Sequence, residues 1–328
     1  MRISIIGAGA WGTTLSILLS EAGHEVSLWV FEDKLCSIMM ELRENKWYLP
    51  GFQIPVSINV SNHLEEALSN PELVVFVTPS KHLRSIASRA SKRIKNSAFI
   101  LSAVKGLEEG TDKRMSEVLS DVLPKNKIAV ISGPNLSKEI AKGLPAASVV
   151  ASSDSLVAEM IQSAFKIDRF RVYTTDDVAG VEFGGALKNI IAIAAGISDG
   201  LGLGDNAKSG LMVRGIVEIA RFGVMMGAKQ ETFFGLSGMG DLITTCSSKL
   251  SRNHCVGEAL AKGKHLDEIL RGMKEVAEGV GAARAARDLA KKNNIEMPIT
   301  EEVCKVLFEK KDPYHAMADL MGRELKRE

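Results

Sequence analysis

The chain has 328 residues, room for roughly two domains and a large buried core. Apolar residues make up 45% and charged residues 25%, and 41 Lys and Arg against 40 Asp and Glu leave a net charge of +1. That balance excludes the basic excess of a general nucleic-acid or acidic-membrane binder, while leaving room for a local cationic cluster. Four cysteines, Cys36, Cys246, Cys255 and Cys304, lack C-x-x-C spacing and read as reduced cytosolic thiols, with no metal site expected.

The first predicted strand, Ile3–Ile6, runs into Gly7-Ala8-Gly9-Ala10-Trp11-Gly12 and then the helical pattern Thr13–Ala22. The basic-then-apolar start resembles a secretory signal, but its middle is broken by glycines. G-x-G-x-x-G between a strand and a helix is the informative setting of the dinucleotide-binding motif. Gly7 permits the tight turn, Gly9 lets the backbone approach a pyrophosphate, and Gly12 lets helix and strand pack closely. The pyrophosphate would sit on the free N–H groups of the helix start. The second strand, Val26–Phe31, ends where an acidic side chain favours NAD and a basic one accommodates the NADP phosphate. Phe31-Glu32-Asp33-Lys34 decides neither: Glu32 suits the ribose hydroxyl or a helix cap equally, and Phe31 suits stacking on adenine.

Further apolar runs at Leu73–Val77, Phe99–Val104, Ile128–Ile131, Ala147–Ala151 and Phe170–Tyr173 alternate with helical segments such as Lys81–Arg93 and Leu156–Phe165. This order predicts an α/β fold, a doubly wound parallel sheet of Rossmann type with helices on both faces, over residues 1–175. Lys105 follows one strand and Gly133-Pro134-Asn135 another, at the carboxyl ends where open α/β sheets bind ligands. Ser137 then opens the next helix.

Residues 176–328 read as an all-helical C-terminal domain with glycine-rich joints at Gly196–Gly204 and Gly235–Gly240. In Ala207–Gly227, one face takes Val213, Ile216, Ala220 and Val224, and another takes Arg214, Glu218 and Arg221. Later helices are predicted at Arg252–Lys262, Ala282–Lys292, Glu301–Lys310 and His315–Leu325, punctuated by Pro298 and Pro313. The apolar run Ile190–Ile197 is too short to span a bilayer, and a cytoplasmic protein without a membrane span is expected.

Lys188 stands in an apolar helical run, with Gly184, Gly185, Ala192 and Ala195 along one side. Small neighbours leave space for something to approach the amine, and desolvation tunes it toward proton exchange with an alcohol at neutral pH. The alternative is a packed stem with its amine in water. Gly238-Met239-Gly240-Asp241 places a carboxylate on a loop, and Ser251-Arg252-Asn253 begins a helix with Ser251 as its cap. A helix N-terminus with a guanidinium and an amide suits a phosphate ester. Together these ingredients point to hydride transfer to or from a small phosphorylated alcohol.

These residues resemble the NAD(P)-dependent glycerol-3-phosphate dehydrogenases, in particular the bacterial enzymes. The likeness runs over nearly the whole chain. Its most distinctive blocks are Gly185-Ala186-Leu187-Lys188-Asn189, Gly196-Ile197-Ser198-Asp199-Gly200 and Gly238-Met239-Gly240-Asp241-Leu242. The resemblance implies interconversion of sn-glycerol 3-phosphate and dihydroxyacetone phosphate with NAD or NADP, supplying phospholipid synthesis, in a substrate cleft between the domains. It implies Lys188 as the proton acceptor or donor, with Asp241 contacting substrate and orienting the lysine. Lys105 would bridge substrate and cofactor, with Gly133 and Asn135 lining the substrate. Arg252 and Asn253 would hold its phosphate, with Ser251 beside them and Arg252 also on the cofactor. Ala10, Trp11, Phe31, Tyr48, Ser137, Val276 and Glu278 match cofactor contacts, beside Gly7, Gly9 and Gly12. Phe31 stands where arginine or histidine is common, so the choice between NAD and NADP stays open; Val104, Asn135-Leu136-Ser137 and Ala282 also depart from the usual pattern. A homodimer acting on a small molecule, with no nucleic-acid partner, is expected. The alternatives are a related 3-hydroxy-acid or sugar-phosphate dehydrogenase, and a non-catalytic NAD(P)H sensor.

Overall fold

The computed structural model describes residues 1–273 and 276–324. They divide into two units, the first of residues 1–105 and 113–182, the second of residues 106–112 and the chain from Phe183 on. The boundary expected after residue 175 falls short of this division.

In the first unit, β1 (Arg2–Ile6), β2 (Glu25–Trp29), β5 (Asn59–Ser61), β6 (Leu73–Phe76), β7 (Phe99–Ser102), β8 (Ile128–Ser132), β9 (Ala146–Ala151) and β10 (Phe170–Thr175) form one sheet. Their order is β10-β9-β8-β7-β6-β1-β2-β5, and β3 (Glu44–Asn45) and β4 (Leu49–Gln53) make a separate antiparallel pair. The helices are α1 (Ala10–Glu21), α2 (Asp33–Leu42), α3 (Leu64–Ala67), α4 (Leu83–Ala90), α5 (Met115–Val122), α6 (Ser137–Ala141) and α7 (Ser155–Ala164). Alternating side chains build two cores, one on each face of the sheet. Ile3, Ile5, Leu28, Leu101 and Phe170 share one; Ile6, Trp29, Phe76, Ile100 and Val118 share the other.

One expectation is corrected here: the sheet is mixed. β9 runs antiparallel to β8, and only β9 and β10 are again parallel to each other. The connection between them, residues 133–145, holds only the five-residue α6, close to the dozen or so residues that a parallel crossover needs at minimum.

A buried carboxylate ties α5 down. Glu182 accepts from Arg114 Nη1 (2.7 Å), the Ser116 amide (2.8 Å) and Ser116 Oγ (2.5 Å). Burial pushes its carboxyl up, and Arg114 and Ser116 pull in the opposite direction.

The second unit takes α8 (Val178–Gly200) from Phe183 on, then α9 (Gly204–Met225), α10 (Asp241–Ser247), α11 (Arg252–Ala261), α12 (Leu266–Gly272), α13 (Glu278–Lys292), α14 (Pro298–Phe308) and α15 (Pro313–Met321). The predicted end of the last helix at Leu325 lies outside the described residues. α8 is long and apolar enough to cross a membrane, well beyond the run Ile190–Ile197, but 89% of its most apolar window is buried, as in a core helix. The glycines at 196 and 200 lie inside α8 rather than in a joint, because they admit another helix. A Cβ on Gly196 would stand 2.0 Å from the His254 carbonyl oxygen, and one on Gly200 2.6 Å from Ala261 Cβ. Pro298 and Pro313 likewise open helices rather than separate them, at positions where a missing N–H costs nothing.

The face assigned to α9 is also corrected. Val213 and Val224 are 51% and 44% exposed, whereas Glu218 is 1% exposed. Glu218 is buried because its carboxylate receives the start of α14: the Ile299 amide (2.8 Å), the Thr300 amide (2.9 Å) and Thr300 Oγ1 (2.8 Å). Burial raises its carboxyl, opposed by these donors. Glu218→Gln turns an N–H group toward those amides and is expected to cost about 2–4 kcal/mol, read as a lower urea midpoint at unchanged slope.

Candidate active site

The glycine motif sits where β1 and β6 lie side by side and the strand order departs in opposite directions. Gly7 has φ +120°, and a Cβ there would lie 2.6 Å from the Val77 carbonyl oxygen. A Cβ on Gly12 would lie 1.9 Å from Gly7 O, whereas one on Gly9 would meet nothing within 4 Å. Two glycines thus seat α1 against the sheet and the third leaves an open face. The first turn of α1 has no side-chain cap and no acidic residue, so Ala10, Trp11 and Gly12 present amides without helical acceptors. The Trp11 indole N–H also finds no partner among the described residues, and its ring lies 6.4 Å from Phe170. This cradle fits a dinucleotide pyrophosphate.

At the end of β2, Phe31 is exposed and set edge-on to Trp29 at 5.9 Å. Glu32 precedes α2 without capping it; its Oε1 accepts from Tyr48 Oη at 2.8 Å. The Tyr48 amide donates to Asn45 Oδ1 (3.0 Å), and buried Asn45 Nδ2 donates to Ala8 O and Thr13 Oγ1, each at 2.8 Å. The β3–β4 hairpin is thereby fastened to the glycine turn.

Lys105 Nζ donates to Gly133 O at 3.0 Å. Gly133 has φ +143°. Asn135 Oδ1 accepts from Ser148 Oγ at 2.7 Å, while its Nδ2, Ser132 Oγ and Thr78 Oγ1 are buried without partners among the described residues. Buried polar atoms left unmatched call for an explanation, and a polar ligand at the carboxyl edge of the sheet supplies one. Ser137 opens α6, its carbonyl accepting from Thr14 Oγ1 at 3.3 Å.

In the second unit, Lys188 is buried, and its Nζ donates to Asp241 Oδ1 and Thr245 Oγ1, each at 2.6 Å. Asp241 is the first residue of α10 rather than a loop residue. The space beside Lys188 is partly filled by chain: a Cβ on Gly184 would lie 2.8 Å from Ser237 O and 3.3 Å from Gly238 Cα. The bare glycine seats the π-type turn Leu236–Gly240, which delivers Asp241 to the lysine. Nearby Cys246 is buried, which pushes its thiol up to about 12 and keeps it neutral.

Ser251 caps α11, accepting from the His254 amide at 3.3 Å. Arg252 is exposed, with Nη1 donating to Val276 O at 3.1 Å. Asn253 is engaged within the unit: Nδ2 donates to Asn189 Oδ1 and Oδ1 accepts from the Gly279 amide, both at 2.9 Å. Glu278 begins α13 beside Gly279. His254 Nε2 and Lys208 Nζ both meet Asp199 Oδ2, at 2.7 and 2.6 Å. Burial alone would raise the Asp199 carboxyl, but these partners outweigh it and hold it below its ordinary range.

Two family models match: the N-terminus of NAD-dependent glycerol-3-phosphate dehydrogenase over residues 2–158, and its C-terminus over residues 177–318. A glycerol-3-phosphate dehydrogenase [NAD(P)+] of Syntrophotalea carbinolica is 47% identical, over 100% of this chain and 99% of that protein. One of Geobacter sulfurreducens is 45% identical, over 100% and 98%. The chain belongs to the NAD-dependent glycerol-3-phosphate dehydrogenase family. The crystal structure of glycerol-3-phosphate dehydrogenase from Coxiella burnetii superposes with a TM-score of 0.95 at 38% identity, covering 98% of this chain and 99% of that one.

Two contributors escaped the sequence reading. Thr245 lies one helical turn beyond Asp241, a spacing that places both on one face of α10. Asn45 carried no signal of its own, since its partners are set by the tertiary fold, and Asn189 was noted only within a block that carries the family likeness.

Proposed function

We propose that the chain interconverts sn-glycerol 3-phosphate and dihydroxyacetone phosphate, using NAD(P)H or NAD(P)+, with Lys188 handling the proton. The buried Lys188–Asp241–Thr245 cluster carries this reading. When bound, a nicotinamide nucleotide would supply or accept the hydride at the substrate's second carbon. Lys188 donates a proton to the oxygen on that carbon during reduction and takes it back during oxidation. Asp241 and Thr245 hold Nζ in one direction, and the ammonium stabilises developing alkoxide charge.

Arg252 and the first amides of α11 grip the substrate phosphate, with Ser251 fixing the helix start and Asn253 bracing it on Asn189 and Gly279. Lys105, Gly133 and Asn135 face the substrate in the same reading, Lys105 and Arg252 also touching cofactor. Gly7, Gly9, Ala10, Trp11, Gly12, Phe31, Tyr48, Ser137, Val276 and Glu278 would hold the nucleotide. Family membership supports the accompanying setting: a cytoplasmic homodimer supplying glycerol 3-phosphate for phospholipid synthesis.

Initial rates test the reading. Dihydroxyacetone phosphate should be reduced, while 3-hydroxy acids and unphosphorylated dihydroxyacetone should be poor substrates. Turnover of a hydroxy acid with rejection of dihydroxyacetone phosphate overturns it. Nucleotide binding without turnover of any triose phosphate would instead make the chain a sensor.

A further inference from the structure

We infer that Glu32, clamped by Tyr48, is a specificity-determining residue that selects NAD(H) over NADP(H). The inference rests on the dinucleotide reading of the glycine motif and deepens it. Ile6 pairs with Trp29, and the Gly7 amide donates to the Trp29 carbonyl at 3.2 Å, so the turn after β1 and the segment Val30–Glu32 after β2 share one end of the sheet. In this sheet type, the residue at the end of the second strand meets the ribose 2′-hydroxyl.

The sequence alone left Glu32 two roles, and the structure removes one. Its side chain makes no cap bond to α2; only its backbone carbonyl serves that helix, accepting from the Cys36 amide at 2.9 Å. The Tyr48 hydroxyl donates to Oε1, which leaves Oε2 able to accept from a ribose hydroxyl. The clamp also matters for what it prevents. Tyr48 is held through Asn45 to Ala8 and Thr13, so the carboxylate is fixed on the same framework as the glycine turn and is not free to swing aside.

A 2′-phosphate would bring a charge of about −1.5 to −2 and needs cations in place of a hydroxyl acceptor. Here it would approach Glu32 with Asp33 next in sequence, whose Oδ1 accepts from Asn62 Nδ2 at 2.9 Å. Arg43, the nearest arginine in sequence, turns its guanidinium to the carbonyls of Ile54, Pro55 and Ile58. Lys34 and Lys46 are the remaining cations of the segment from β2 to the hairpin, and Arg89 of α4 lays its guanidinium over the Trp29 ring, 5.9 Å from its centroid.

The test is equilibrium binding of NADH and NADPH to the full chain, without substrate, followed by nicotinamide fluorescence. NADH should bind about tenfold tighter or more, as expected for like charges held a few ångströms apart. Glu32→Gln should close most of that gap, chiefly by tightening NADPH. Tyr48→Phe, which keeps the ring and frees the carboxylate, should close part of it. Equal binding by the unaltered chain, or NADPH binding tighter through Lys34 or Lys46, overturns the inference, as does a gap unmoved in Glu32→Gln. Binding of neither nucleotide overturns it together with the dinucleotide reading. Selective NADH binding without turnover of dihydroxyacetone phosphate supports this inference while refuting the proposed reaction.

Discussion

Lys188→Met should lower kcat for dihydroxyacetone phosphate reduction by about 10²–10⁴-fold, the usual worth of a positioned acid, while NADH binding stays intact. Methionine keeps much of the stem's volume, so packing in α8 survives. It leaves Asp241, 2% exposed, without the ammonium now 2.6 Å away. Removing one partner of a buried pair costs about 3–5 kcal/mol, so the variant should also melt earlier. The double variant Lys188→Met, Asp241→Asn separates the two effects. It removes the stranded charge and should recover most of the stability and none of the activity. A single variant with near-full kcat would sink the proton-transfer role.

Gly196→Ala is the second large effect, and it acts on packing rather than chemistry. The added methyl would stand 2.0 Å from His254 O, 2.8 Å from His254 C and 3.0 Å from Glu258 N. All three are backbone atoms of α11, so no side chain can rotate away. Gly257 repeats the contact from the other helix, where a Cβ would lie 2.0 Å from Ile193 O. The helices must part, at about 3 kcal/mol or more. The displaced turn carries Ser251, Arg252 and Asn253, so KM for dihydroxyacetone phosphate should rise. Gly210→Ala on α9 is the control: a Cβ there would meet nothing within 4 Å, and the change should stabilise by roughly 0.5–1 kcal/mol. Urea denaturation of both variants checks the contrast, and an unaltered Gly196→Ala midpoint would refute the packing account.

The parts of this fold written in local patterns were legible. The glycine motif, the alternation of β-rich runs with helices and the lysine in an apolar helix each depend on neighbours close in sequence. What was misread depends on distance. The reversal between β8 and β9 is a matter of strand direction, which hydrophobic pattern does not report. Glu218 looks like a solvent-facing residue until the start of α14 is brought to it from 81 positions away. Gly184 and Gly196 were assigned to open space and to a joint; both make room for backbone. Tyr48 was named as a cofactor contact only through family likeness, and its bond to Glu32 needed the hairpin in place.

Asn45 has a consequence for how the nucleotide cradle works. One amide group grips the glycine turn with its nitrogen and the Tyr48 backbone with its oxygen, so both segments are held on a single template. The ordering of that template is completed when the chain folds. A dinucleotide held as proposed would meet a surface already in shape, and little of its affinity would be lost to arranging the host.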